Sequence, residues 1–349
     1  MTAYIVRRLL ISIPLLLVMS LVTFGIIRLP KGDVLAPYRA DHRFSRSELQ
    51  RMEHEYRFDR SFIVQYGFWM KNLFLEWPSE AEQAAPKAGF SGWLKGWAPK
   101  RIRLDLGYSF VHKQPVFNVI SGRLGNTLLL SVASLILVWA VAVPVGTYCA
   151  VHQYSLGDKI LSFISFIGMS LPSFFLALLL LYLVSLTGWL PIGGLTSDDF
   201  DMMTFAGKII DLAKHMVVPI IVIVTGSLAG MQRLMRGNML EVLRMQYVTT
   251  ARAKGLPESR VINRHALRNA INPMVTIFGY EFSGLLSGVA LTEIITSYPG
   301  LGSLMLEAVQ SQDIFLVMSS LMISGVMLIV GNLIADVLLA IADPRISYD

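Results

Sequence analysis

The sequence predicts an all-α polytopic membrane protein with about six transmembrane helices and an extracytoplasmic subdomain between the first and second. Three observations predict it. Of 349 residues, 54% are hydrophobic and only 15% charged, and the mean hydropathy is +0.56, whereas a soluble domain is about a quarter charged. Apolar runs of roughly 20 residues recur, the length a helix needs to cross about 30 Å of hydrocarbon. Lys and Arg gather in particular connections, which orients the helices. The net charge of +6 is explained by this asymmetry and gives no reason to expect nucleic acid as a partner. Cys149 is the only cysteine, which excludes an intrachain disulfide and a cysteine metal site.

The first span runs from about Leu9 to Ile27, behind Arg7 and Arg8. A cleaved signal peptide has a shorter apolar region and a small-x-small site; here the run is longer and Gly25-Ile-Ile-Arg-Leu-Pro30 follows, so an uncleaved helix is expected. Segment 1–29 is therefore the N-terminal helix and 30–121 the extracytoplasmic subdomain. In the latter, Ser45-Arg-Ser-Glu48 is a capping box. Leu49, Met52 and Tyr56, then Ile63, Tyr66, Phe68, Trp69, Leu73 and Phe74, predict one or two amphipathic helices. From about Pro78 to Lys100 periodicity is lost. Trp69, Trp77, Trp93 and Trp97 are read as interfacial anchors or packing residues, with partner contact as the alternative.

A transmembrane domain is expected over 122–341, followed by a tail at 342–349. Its spans are about Leu124 to Ala150, Ile160 to Leu186, Met216 to Met235, Pro273 to Ile295 and Ile314 to Ile341. Pro144 and Pro172 predict local kinks. Glycines 284 and 288 have the spacing of close helix packing. The loops at 187–213 and 296–313 are net acidic, whereas Arg233 to Arg268 holds many cations and only two acids, Glu241 and Glu258. Both termini and the basic loop are thus placed in the cytoplasm.

The basic loop, 241–270, carries the function. Tyr247 to Lys254 is rich in helix formers, and Gly255 stands where a helix ends. Leu256-Pro-Glu258 opens a second helix running to about Ala270, with an acid in its first turn. An orienting loop needs only charge; two helices broken by a glycine predict a docking knuckle. Its exposed Arg and Lys would meet a partner, with apolar contact from Val261, Ile262 and Leu267.

Tyr247-Val-Thr-Thr-Ala-Arg-Ala-Lys-Gly-Leu256 followed by Arg264-His-Ala-Leu-Arg-Asn-Ala270 resembles the EAA loop of bacterial ABC importer permeases. The motif's Glu-Ala-Ala and Gly fall on Thr249, Thr250, Ala251 and Gly255. Thr at the acidic position, and Leu267-Arg268 for the later Leu-Pro, resemble the dipeptide/oligopeptide branch. Asp105-Leu-Gly-Tyr-Ser-Phe110, Leu171-Pro-Ser-Phe-Phe175, Gly188-Trp-Leu-Pro-Ile-Gly-Gly194, Tyr298-Pro-Gly-Leu-Gly302 and Asp343-Pro-Arg-Ile-Ser-Tyr348 agree with it in order. The extra stretch at 77–104 is similar to the Yej-type "B" subunit.

The resemblance implies the type I ABC importer transmembrane fold in the bacterial inner membrane. It implies a second homologous permease subunit, two ABC ATPase domains or subunits, and a periplasmic solute-binding protein as partners, besides membrane lipid. It further implies that Thr249, Thr250, Ala251, Arg252, Ala253, Lys254, Gly255, Leu256, Pro257, Glu258 and Val261 dock the ATPase. The chain has no Gly-x4-Gly-Lys-Ser/Thr loop, so no cofactor is expected in it, and ATP and Mg would be bound by the partner ATPases. The cargo expected is peptide; nickel chelates, glutathione and oligosaccharides are carried by relatives of this branch.

Glu281 in span five and Asp336 in span six are candidate pathway residues, because an intramembrane acid is costly unless it faces protein or water. A satisfied interhelical hydrogen bond or a protonated acid is the alternative. Glu293 is read as an interfacial residue rather than a gate. An intramembrane enzyme is disfavoured: His54-Glu55 is followed by Tyr-Arg-Phe, not the x-x-His of a metalloprotease, and lies outside the spans.

Overall fold

The computed structural model describes residues 2–28, 39, 45–55, 60–76, 101–102, 105–109 and 111–342. Readings made on Tyr56, on Trp77, Trp93 and Trp97, on Phe110 and on Asp343 to Tyr348 lie outside these residues. The chain forms two compact units, one of residues 1–13, 122–306 and 323–349 and one of 14–121 and 307–322.

Apolar length sets the helices. α1 (Thr2–Arg28) is followed by α2 (Arg46–Glu55) and α3 (Phe62–Phe74), two helices where one or two amphipathic helices are expected. Strand pairs β1 (Leu75–Glu76) with β2 (Arg101–Ile102) and β3 (Tyr108–Ser109) with β4 (Gln114–Pro115) are antiparallel. Then come α4 (Val116–Val151), α5 (Leu156–Ser170), α6 (Ser173–Thr187) and α7 (Phe205–Leu243). After the basic loop follow α11 (Asn272–Gly288), α12 (Ala290–Ile295), α13 (Leu301–Gln310) and α14 (Ile314–Ala342); α8 to α10 belong to the loop itself and are described with it.

The apolar segments stand in the expected order, but not all are single crossings. Among the described residues, four helices, α1, α4, α7 and α14, are long and apolar enough to span alone, with a fifth crossing if α5 and α6 count as one. The expected third span is broken: α5 and α6 are bent by 101° at Leu171-Pro172. Leu171 is extended (φ −85°, ψ 128°) because the ring of Pro172 disfavours a helical residue before it, and Pro172 itself has ψ 133°. The effect is a break, not the kink expected. Pro144, by contrast, lies inside the unbroken α4. The fifth segment is interrupted at Val289, leaving α11 with 17 residues. Among the described residues, no atom lies within 4 Å of where a Cβ on Gly284 would stand.

In the first unit, two apolar clusters fix α4 against α7. Leu130 and Leu135 of α4 meet Met216 and Ile223 of α7, together with Phe282, Val289 and Tyr298. The second cluster, around Val138, Ala142, Met235 and Met239, extends under the basic loop. In the second unit Trp69 is buried, with Phe24 and Tyr66 rings at 6.5 and 6.2 Å, and Ser20 shares a 2.8 Å hydrogen bond with the Tyr66 hydroxyl. Trp69 is therefore a packing residue, not an anchor in the headgroup region. The Asp105-Leu-Gly-Tyr-Ser segment is closed onto α14: Ser109 donates to Asp313 at 2.6 Å, and Ser319 donates to the Leu106 carbonyl at 3.1 Å. Asp313 also accepts the Leu316 N–H at 3.2 Å, capping the start of α14.

Glu293 departs furthest from expectation. It is wholly buried, and its carboxylate accepts Thr127 Oγ1 at 2.9 Å and the Ser303 N–H at 2.8 Å. Thr127 in turn accepts the Leu301 N–H at 2.6 Å, and Asn126 donates to the Pro299 carbonyl at 2.9 Å. Tyr298 donates to the Asn126 carbonyl at 3.0 Å, its phenol pushed up to about 12 by burial and then by the Glu293 charge. Glu293 is thus the centre of a clamp tying the Tyr-Pro-Gly-Leu-Gly turn to α4, not an interfacial residue. A Cβ on Gly300 would overlap the Glu293 carboxylate. Gly300→Ala is expected to destabilise the fold by about 1–3 kcal/mol through overpacking, seen as a lower thermal unfolding midpoint of the purified protein; an unchanged midpoint would refute the clamp.

Candidate functional site

The knuckle is built where α7 ends. Arg244 closes α7, Met245 is extended (φ −69°, ψ 145°), and α8 (Gln246–Ala253) begins. α8 ends in a Schellman motif: the Gly255 N–H bonds to the Arg252 carbonyl at 2.9 Å and the Leu256 N–H to the Ala251 carbonyl at 3.4 Å. Gly255 has φ +73°, the left-handed conformation that favours glycine. Pro257 then stands at the cap of α9 (Glu258–Arg260), which continues through a π-helical turn (Val261–Ala266) into α10 (Leu267–Ala270). The wide turn places Val261 and Ala266, five residues apart, on the same buried face.

This geometry divides the predicted site residues. Val248, Ala251, Val261, Ala266 and Ala270 are buried against Met235 and Met239 of α7, with Leu256, Ile262 and Leu267 partly buried on the same cluster. Val261 therefore holds the knuckle down and has no surface for the outward apolar contact expected of it; Ala251 is likewise on the inner side. Thr249, Thr250, Arg252, Ala253, Lys254, Gly255, Pro257 and Glu258 are exposed and form the outer face. Arg252 is not a loose cation. Its Nη2 reaches Glu258 Oε1 at 2.7 Å and its Nε reaches both carboxylate oxygens at 3.2 Å, bracing the glycine turn. Asn269 Nδ2 donates to the Tyr247 hydroxyl at 2.8 Å, joining the two limbs, and Asn238 Nδ2 ties the Ala270 carbonyl to α7 at 3.2 Å.

The intramembrane acids separate in the same way. Asp336 lies 3.2 Å from Arg8 Nη2, an ion pair between α14 and α1 that supplies the countercharge it needs. Glu281 is half-buried on α11 and makes no hydrogen bond or ion pair among the described residues. Sequence reasoning missed the Thr127–Glu293 clamp. The Tyr298-Pro-Gly-Leu-Gly302 motif was the available signal, but its partner lies on a helix 166 positions away from Glu293.

Helices long enough to cross a bilayer, broken crossings beside them, and a rigid module on the end of one spanning helix define a membrane transport subunit. The chain belongs to the family of binding-protein-dependent transport system inner membrane components, whose model matches residues 142–348. It is 36% identical over 350 residues to the oligopeptide transport system permease protein AppB of Bacillus subtilis, covering all of both chains. It is 30% identical over 362 residues to the di/tripeptide transport system permease protein DppB of Pseudomonas aeruginosa, covering 100% of this chain and 99% of DppB. A chain of the MetNI methionine ABC transporter, solved in inward-facing conformations, shares the fold with a TM-score of 0.51 at 14% identity, over 65% of this chain and 97% of that one.

The Arg252–Glu258 pair is solvent-exposed, so the acid sensitivity it predicts for the knuckle is small. Arg252 holds the Glu258 carboxyl below its ordinary value, and Glu258 raises Arg252. A depressed carboxylate contributes stability above its unfolded pKa and loses it as pH falls through the lower folded value. Amide exchange over 246–260, corrected for its intrinsic pH dependence, is expected to rise on acidification in the wild type and to be already raised, and flat with pH, in Glu258→Gln.

Proposed function

We propose that this chain forms one half of an ATP-driven pathway for peptide uptake across the bacterial inner membrane. A second homologous permease supplies the other half, two ABC ATPase subunits bind ATP and Mg beneath it, and a periplasmic binding protein delivers the cargo. Both termini and the knuckle face the cytoplasm, where the excess of Lys and Arg belongs. The peptide assignment follows AppB and DppB, whose names state that they transport oligopeptides and di- and tripeptides. The finer Yej-type assignment rests on the length of the stretch at 77–104.

The observation that carries the reading is the two-faced knuckle. One face is packed into the same core as α7 and the other offers Thr249, Thr250, Arg252, Ala253, Lys254, Gly255, Pro257 and Glu258. An element built this way transmits displacement. When the ATPases close on ATP, the outer face is pushed, and the inner face passes the motion to α7 with little loss, because close-packed side chains yield little. Ala251, Leu256 and Val261 act from the inner side, holding the outer residues in register.

The test is functional. Gly255→Pro removes the left-handed turn, since proline is fixed near φ −65°. Charge reversal at Arg252 with Lys254 inverts the surface charge pattern and also breaks the Arg252–Glu258 brace. Each is expected to cut ATP-dependent uptake by about tenfold or more while membrane insertion is kept; uptake at the wild-type rate would remove the docking assignment. Glu281, an acid with no hydrogen bond or ion pair among the described residues, is proposed to line the pathway and engage the peptide amino group. Glu281→Gln at matched expression is expected to slow uptake of peptides with a free amino group relative to N-acetylated ones. Equal rates for both would exclude the charge contact.

A further inference from the structure

We propose that a cavity between α5 and α7 is a binding site for the headgroup of an anionic phospholipid. The cavity measures about 250 Å³ and is lined by Asp158, Lys159, Ser162, Phe166, Arg233 and Arg236, among others. That is below the roughly 300–1,000 Å³ of sites for drug-sized ligands, and fits a headgroup with its tails outside.

The charges converge without cancelling. Three cations face one carboxylate, and that carboxylate is already engaged. Asp158 accepts Arg236 Nη2 at 2.9 Å, the Tyr154 N–H at 2.9 Å and the Ser162 hydroxyl at 3.4 Å. The side chains of Lys159 and Arg233 make no hydrogen bond or ion pair among the described residues; the Arg233 guanidinium only lies over the Phe166 ring, 5.9 Å from its centre. Arg236 Nε is buried with no acceptor. A buried donor left unpaired costs free energy, and an oxyanion in the cavity would satisfy it. The ligand called for is an anion with several oxygens.

Position selects a lipid over a free anion. Residues 160–170 of α5 contain no charge, nor do 216–232 of α7. Lys159, Arg233 and Arg236 are therefore the first charges met on leaving the apolar stretch of each helix, which places them at headgroup level. Below them α5 exposes Ile160, Phe163, Phe166 and Ile167, an apolar face on which acyl chains can lie. The site is at the end of α7 that bears the knuckle, so the lipid comes from that leaflet.

The assembled, delipidated importer can be titrated in detergent by native mass spectrometry with phosphatidylglycerol and, separately, phosphatidylcholine. Phosphatidylglycerol is expected to bind, with affinity falling about tenfold or more in Lys159→Gln/Arg233→Gln and largely kept in Arg233→Lys. Ser162→Glu, which places a carboxylate in the cavity, should give the same loss if the double variant does not assemble. Inorganic phosphate at millimolar concentration should not displace the lipid. Equal binding of phosphatidylcholine, or unchanged phosphatidylglycerol binding in both the Lys159→Gln/Arg233→Gln and Ser162→Glu proteins, would overturn the proposal. Full displacement by phosphate would assign a free-anion site instead. Loss of the second permease subunit with lipid binding intact would assign the surface to subunit contact.

Discussion

Met235 and Met239 of α7 lie wholly buried beneath the knuckle, and the arrangement of the basic loop depends on that contact. A loop of this length left in water would lose its conformational entropy for little return. Seating Val248, Val261, Ala266 and Ala270 on the two methionines removes apolar surface from water and gives the loop one conformation. Methionine suits the place because its unbranched thioether fills an irregular underside. The remaining devices, the Schellman turn at Gly255, the π turn and the Arg252–Glu258 brace, fix details of a module already held down.

A second theme is the varied treatment of acids. Asp313 caps a helix and binds Ser109, Glu293 sits among neutral donors, Asp336 pairs with Arg8, and Asp158 pairs with Arg236. Each solution satisfies a carboxylate whose desolvation is otherwise costly. Glu281 is the exception among the intramembrane acids described, having no such partner among the described residues. That exception directs attention to it as a pathway residue, more than its depth alone does.

Much of the knuckle was legible in the sequence, because its determinants are local. A glycine behind a helix-forming run and a proline behind the glycine constrain the backbone directly. What was not legible depended on the third dimension. Val261 is wholly buried against α7 and so has no surface for the outward contact expected of it, and nothing in the side-chain pattern marks the π turn that brings Ala266 to the same face. At Trp69 the sequence leaves anchor and packing readings side by side, and the rings of Phe24 and Tyr66 decide for packing. Pro172 was visible as a perturbation, yet its size depended on Leu171 adopting an extended conformation. The buried clamp around Glu293 joins residues far apart in the chain, beyond the reach of any local pattern.

The length of α7 has a consequence of its own. Its 39 residues make about eleven turns without interruption. One end carries the knuckle. Near the other, Asp211 accepts both the Ser197 N–H at 2.9 Å and the Ser197 hydroxyl at 2.6 Å, fastening the connection that precedes the helix. Two surface features far apart are thus mounted on a single axle. A twist applied at one becomes a swing of the other, without any relay of side-chain rearrangements through the intervening core.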